Sequence, residues 1–194
     1  MGSVVISGAT SGAVTLAVPA EAGTRTLTLP ALTGSVLTNA TAGVVLQVIQ
    51  AVKVDSYSAT VATWTDVTGV TVNITPSSTS SKVFVMCNFS VGSDGTDNAD
   101  FMAQLVRGST AIAVGNNGGT APLTLSPMTG VVSDYNTQPQ SIAFLDSPST
   151  TDATTYKLQM RNWSSTSHRY YVGQRGHNTS FILPSHITVM EVAG

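Results

Sequence analysis

Residues 63–91, TWTDVTGVTVNITPSSTSSKVFVMCNFSV, read as two alternating strands joined across a short Pro/Ser/Thr loop. Val70, Val72 and Ile74 stand at every second position, as do Val83, Val85, Cys87, Phe89 and Val91. A period of two places each set on one face of a pleated strand. Phe84 and Met86 make the opposite face of the second strand apolar as well. A strand with two apolar faces needs cover on both sides, from a second sheet or from another copy of the chain.

The same pattern extends outward on both flanks. Val44, Leu46, Val48, Val52 and Val54 line one face of a strand, with Gln50 as the exception. Tyr156, Leu158 and Met160 alternate with Lys157, Gln159 and Arg161, which marks a strand with one wet face. Further strands are expected near 61–66, 101–107, 110–114, 128–132, 141–145, 169–172 and 186–192. The connectors are dense in turn formers, such as Ser93-Asp94-Gly95 and Asn116-Asn117-Gly118-Gly119. No stretch offers a helix of three turns. So many strands in one unit predict an all-β, double-sheet jelly roll over residues 43–194, with an immunoglobulin-like sandwich as the rival.

Residues 1–42 differ from the rest. Short strands at 4–6, 13–18, 26–29 and 35–37 lie in a Gly/Ala/Ser/Thr background, two of them ended by Pro19 and Pro30. Val14, Leu16, Val18, Leu27 and Leu29 are too few to close a core within one chain. This segment is expected to be an arm or stem completed by partner copies or a docking surface.

Composition narrows the function classes. Of 194 residues only 9% are charged, against roughly 25% in an average soluble domain, and Ser and Thr supply roughly a quarter. An uncharged surface does not repel neighbouring copies. The formal net charge of −2 gives no electrostatic footprint for nucleic acid. No apolar run approaches a membrane span. The single cysteine, Cys87, excludes a disulfide framework within the chain and reads as a small buried apolar residue. Met1 to Ile6 lack the basic region of a secretory signal, so synthesis in a cytoplasm is expected.

Catalytic constellations are sparse. His168, His177 and His186 are the only histidines, no G-x-S-x-G elbow occurs, and no pair of carboxylates marks a glycosidase, so no enzyme and no cofactor are expected. Asp94, Asp97 and Asp100 cluster in one loop and form a weak candidate for calcium, although the spacing fails the EF-hand pattern. A second cluster holds Trp163, His168, Arg169, Tyr170, Tyr171, Arg175 and His177. Rings beside amide and guanidinium donors suit a subunit contact or a sugar. The simpler reading is that Tyr170 and Tyr171 flank a strand, one ring in and one out, with Arg169 on the rim.

The 63–91 passage, the block SGATSGAVTLAVPAEAGTRTLTLPALTGSVLTNA at 7–40 and the ending HITVMEVAG together resemble the fibre and head-decoration proteins of tailed bacteriophages. That resemblance implies a homotrimeric jelly roll on a short intertwined stem, displayed on the virion. The expected function is a capsid decoration or cement protein that grips the major capsid protein through its N-terminal arm. The alternative is the receptor-binding tip of a tail fibre or spike, with a host-surface glycan as partner. About 40 residues before the globular part reach ~130 Å at most, which favours the capsid. A secreted lectin or cytokine-like trimer is a third reading, weakened by the missing signal.

Overall fold

A computed structural model describes residues 3–7, 13–17, 42–95, 101–115, 125–128, 134–163 and 168–194. The chain divides into two compact units, Met1–Val36 and Leu37–Gly194. In the first, β1 (Ser3–Ser7) and β2 (Ala13–Ala17) form an antiparallel pair with Val4 opposite Leu16 and Ile6 opposite Val14. The other two strands expected in the arm, with Val18, Leu27 and Leu29, lie outside the described residues.

The second unit is a sandwich of two antiparallel sheets, and no helix forms among the described residues. Sheet I contains β3 (Val45–Lys53), β4 (Tyr57–Ala59), β6 (Lys82–Ser93), β10 (Gln138–Asp146), β12 (Tyr170–Val172) and β13 (Ser185–Val192). Sheet II contains β5 (Thr65–Ile74), β7 (Phe101–Arg107), β8 (Thr110–Ile112), β9 (Leu125–Met128) and β11 (Thr154–Asn162).

Several of these short elements are halves of one strand. On one edge of β6, β13 pairs with Lys82 to Asn88 and β12 continues along Val91 to Ser93 in the same direction. β3 and β4 then pair with β13 and β12 in the same manner. β9 and β8 likewise share one edge of β7. Counted as composite strands, the described residues make eight, in the order β3/β4, β5, β6, β7, β8/β9, β10, β11, β12/β13. The first pairs with the eighth, the second with the seventh, the third with the sixth and the fourth with the fifth. Among the described residues, the strands of this unit therefore pair as one long nested hairpin divided between two facing sheets.

The core follows from strand parity. Val83, Val85, Cys87, Phe89 and Val91 face sheet II, where Val70, Val72, Ile74, Tyr156, Leu158 and Met160 meet them, all buried. Each such side chain contributes about 2 kcal/mol by leaving water. Burial pushes the Cys87 thiol up to about 12, so it is an unreactive filler. Lys157, Gln159 and Arg161 stand on the wetter face of β11, as their alternation predicts.

In β3 the valines take the other side. Val48, Val52 and Val54 are exposed, and the residues packed against the core are Ile49 and Ala51.

Candidate functional site: the outer face of sheet I

Register places whole rows of side chains across four strands on the side of sheet I away from the core. One row runs Leu145, Phe84, Met190, Val48; the next runs Ala143, Met86, Thr188, Gln50; a third runs Ser141, Asn88, His186, Val52. Val48 is 57% exposed, Val52 52% and Leu145 51%, while Phe84, Met86 and Met190 are half-buried by their neighbours. With strands ~4.8 Å apart and ~3.3 Å per residue, the face covers about 400 Å². Seven of its twelve positions are apolar, and the largest apolar patch on a protein surface is often a functional one.

Its polar members are already paired with one another. Gln50 Nε2 donates to Thr188 Oγ1 at 2.8 Å, and Asn88 Nδ2 lies 3.1 Å from His186 Nε2. Lys82, at one corner, donates to Ser147 Oγ at 2.8 Å. Such groups lose little when water leaves, because they keep their partners. Sheet II differs on its outer face. There Lys157 Nζ sits 2.8 Å from Asp66, and Gln159 donates to the same carboxylate at 2.7 Å. Sheet II thus presents an ion pair outward, and sheet I a row of apolar side chains beside neutral polar ones.

An excursion at 173–184 interrupts the composite strand β12/β13 and rises beside this face. Gly173 N donates to Ser90 O at 2.9 Å, Leu183 N donates to Gly173 O at 2.7 Å, and Gln174 bridges to Ile182. Arg175 fixes the interior of the excursion, with its guanidinium 4.5 Å from the Phe181 ring centroid and 5.5 Å from that of Tyr135. His177 stacks on Tyr135 at 3.9 Å and pairs with Asp134 at 3.0 Å. Both rings of this cluster are thus engaged by side chains of the same chain. Phe181, Ile182 and Leu183 remain 59%, 45% and 42% exposed. Between the excursion and β10 lies a groove of about 390 Å³ lined by Asn88, Ser90, Pro139, Ser141, Leu183 and Pro184 among others.

The residues singled out from sequence scatter. Phe84 and Met86 lie on the outer face of sheet I. Val14 and Leu16 lie in β2 of the N-terminal unit. Tyr170 is fully buried between Tyr57 and Phe101, its hydroxyl donating to Met160 O at 3.3 Å. It belongs to the core and offers no ring to a partner, because its position in β12 has inward parity. Tyr171, half-buried, takes the opposite side of β12, and Trp163 is 38% exposed just past the end of β11. Asn162 Nδ2 donates to His168 O at 2.8 Å, and Arg169 N donates to Asp94 Oδ1 at 2.7 Å. The Trp163 and Arg175/His177 groups therefore belong to separate constellations. Asp94 accepts the Arg169 N–H at 2.7 Å, and Asp97 and Asp100 lie outside the described residues. Among the described residues no group of three acidic, His or Cys side chains is placed to hold a metal.

Sequence reading missed Glu191. It is 1% exposed, yet its Oε1 accepts Ser77 N at 2.7 Å, Ser77 Oγ at 2.6 Å and Ser81 Oγ at 2.7 Å, while Oε2 accepts Gln47 Nε2 at 2.6 Å. Burial pulls this carboxyl upward, but the hydrogen bonds from Ser77, Gln47 and Ser81 outweigh it and hold it at about 2, against an ordinary 4.5. A carboxylate that acidic is a poor base for the adjacent serines; it acts as a clasp between the β5–β6 loop and the last strand. The folded pKa is depressed, so its stabilisation is fully present above pH 4.5 and is lost as pH falls toward about 2. The shift corresponds to about 3 kcal/mol. Glu191→Gln is expected to lower the denaturation midpoint at pH 7 and to flatten its fall between pH 5 and pH 2. Parallel pH curves for variant and wild type would refute the clasp.

Comparison with protein-family models gives no match, and comparison with the curated proteins gives none either.

Proposed function

We propose that this chain is a non-enzymatic virion surface protein, a capsid decoration protein that self-associates as a homotrimer through the outer face of sheet I. The N-terminal unit attaches it to the major capsid protein. The observation that carries this reading is the contrast between the two outer faces: sheet II carries an ion pair, whereas sheet I carries the apolar row Leu145, Phe84, Met190 and Val48 with neutral hydrogen-bonded groups beside it and one corner lysine. An uncharged apolar face suits contact between identical copies, which meet without like-charge repulsion. The nested pairing of eight composite strands supports a jelly roll, the double-sheet form in which two Greek keys close on each other. The resemblance of the 7–40 block and the ending to phage head and fibre proteins supports the virion.

Phe84→Asp is the direct test, because Phe84 lies in the middle of the apolar row and is not required by the core. Sedimentation of the wild type should give about three times the 20.0 kDa chain. Phe84→Asp should give a folded monomer with an unchanged far-ultraviolet spectrum. A monomeric wild type at micromolar concentration would overturn the self-association reading. In the same particles, deletion of residues 1–42 should abolish decoration while leaving the sandwich folded. Loss of host adsorption with decoration intact would instead favour the fibre-tip alternative.

A further inference from the structure

Two features mark the 173–184 excursion. Its crest carries three consecutive large apolar side chains, Phe181, Ile182 and Leu183, each more than 40% exposed. Its foot borders the groove, which is lined by Ser90, a residue 6% exposed whose hydroxyl makes no hydrogen bond. A buried hydroxyl without a partner is costly.

The crest is also held stiffly. A Cβ on Gly173 would approach Leu183 O to 2.6 Å, one on Gly92 would collide with Gln174 O, and one on Gly176 would overlap Ser93 O. Close backbone packing at these glycines fixes the excursion against the end of β6. A rigid apolar projection loses little entropy on binding, which is the property of an anchor.

We infer that the Phe181–Leu183 crest of one copy docks into the groove of a second copy of this chain. Three observations select that occupant. Crest and groove are neighbours, sharing Leu183, so every copy carries both the element that docks and the element that receives it. Among the groove residues named above there is no charge, and the guanidinium nearest the crest, Arg175, is held over Phe181 and by Asn178 Oδ1 at 3.0 Å, so identical copies do not repel there. The groove residues Asn88 and Ser141 also belong to the third row of the outer face, so crest docking extends that surface toward the roughly 800 Å² per partner that a stable interface needs. With one crest seated in one groove and the other crest left free for the next copy, the contact is head-to-tail, and it closes into a ring when the rotation allows. This inference rests on the self-association proposed above and names the anchor within it.

Two exposed positions test it with little risk to folding. Phe181→Asp removes the projection, and Ser141→Arg blocks the groove. Sedimentation velocity should show each variant alone associating at least tenfold more weakly than the wild type. An equimolar mixture should recover heterodimers, because one intact crest then faces one intact groove. If both variants associate like the wild type while Phe84→Asp is monomeric, crest docking is overturned and the sheet-face contact survives. Weakened variants that fail to complement each other would also overturn it. A monomeric wild type would overturn both.

Discussion

Asp146→Ala is expected to destabilise the sandwich by about 3 to 4 kcal/mol, among the largest effects of any single side chain away from the glycines. Asp146, 6% exposed at the end of β10, is the point where the two sheets are tied by charge. Its carboxylate accepts Arg107 Nη1 at 2.9 and 2.8 Å from β7 and the Tyr156 hydroxyl at 2.7 Å from β11. Burial and the neighbouring Asp146 charge push the Tyr156 phenol upward, so it stays a neutral donor at any working pH. Removing the carboxylate leaves that hydroxyl buried without an acceptor and the guanidinium without its counter-charge. Arg107, 28% exposed at its side chain, can turn partly toward water, which keeps the loss at the low end for a broken buried pair. Tyr156→Phe, which removes the donor alone, should cost only about 1 kcal/mol. A double-mutant cycle in denaturant, at fixed protein concentration, should give a coupling of about 1 kcal/mol between the two positions. Independent effects would mean that the three groups do not act as a unit.

Most of the fold was legible because it is written in period two. The Val83 to Val91 alternation, the apolar second side of the same strand at Phe84 and Met86, and the wet and dry faces of β11 stand as the sequence predicts. Edges were less legible. The strand expected at 61–66 begins at Thr65, because Asn162 N donates to Val61 O just before it and β4 ends at Ala59. Nothing local in the sequence marks β12 and β13 as one strand, since the twelve residues between them return the chain to the same edge of β6. Pairing at that distance is decided by tertiary closure, which single-strand patterns do not encode.

The candidate site was half legible for related reasons. Phe84 and Met86 gave themselves away by breaking the rule that a half-buried strand has one polar face. Phe181 to Leu183 did not, because three apolar residues in a row before Pro184 carry no period and read as either a buried strand or a turn. Glu191 was legible in principle. It occupies the inward parity of Ile187 and Val189, and a carboxylate on a core-facing position demands donors, which the Ser77 to Ser81 loop supplies. Tyr170 drew attention through its neighbours Arg169 and Tyr171, although strand parity alone separates the two rings.

Gly176→Ala should cost about 3 kcal/mol and Gly173→Ala about 4 kcal/mol, the largest penalties expected from the addition of one methyl group. The reasons differ and can be separated. At Gly176 a Cβ would overlap Ser93 O and crowd Asp94 N at 2.6 Å, both backbone atoms of the strand end beneath the excursion. Rotating a side chain cannot relieve that contact, so the backbone of the excursion must move. Gly173 adds a conformational cost to a steric one: its φ is +74°, and its Cβ would lie 2.6 Å from Leu183 O, whose own N–H is bonded to Gly173 O. Gly108 supplies the control, with φ at +58° and open space for 4 Å around the position a methyl group would take. Gly108→Ala should therefore lose only the left-handed penalty of about 1 kcal/mol. Denaturant midpoints for the three variants should fall in the order Gly108, Gly176, Gly173. If Gly176→Ala is no worse than Gly108→Ala, the excursion is free to shift, and a crest that shifts cannot serve as a preorganised anchor.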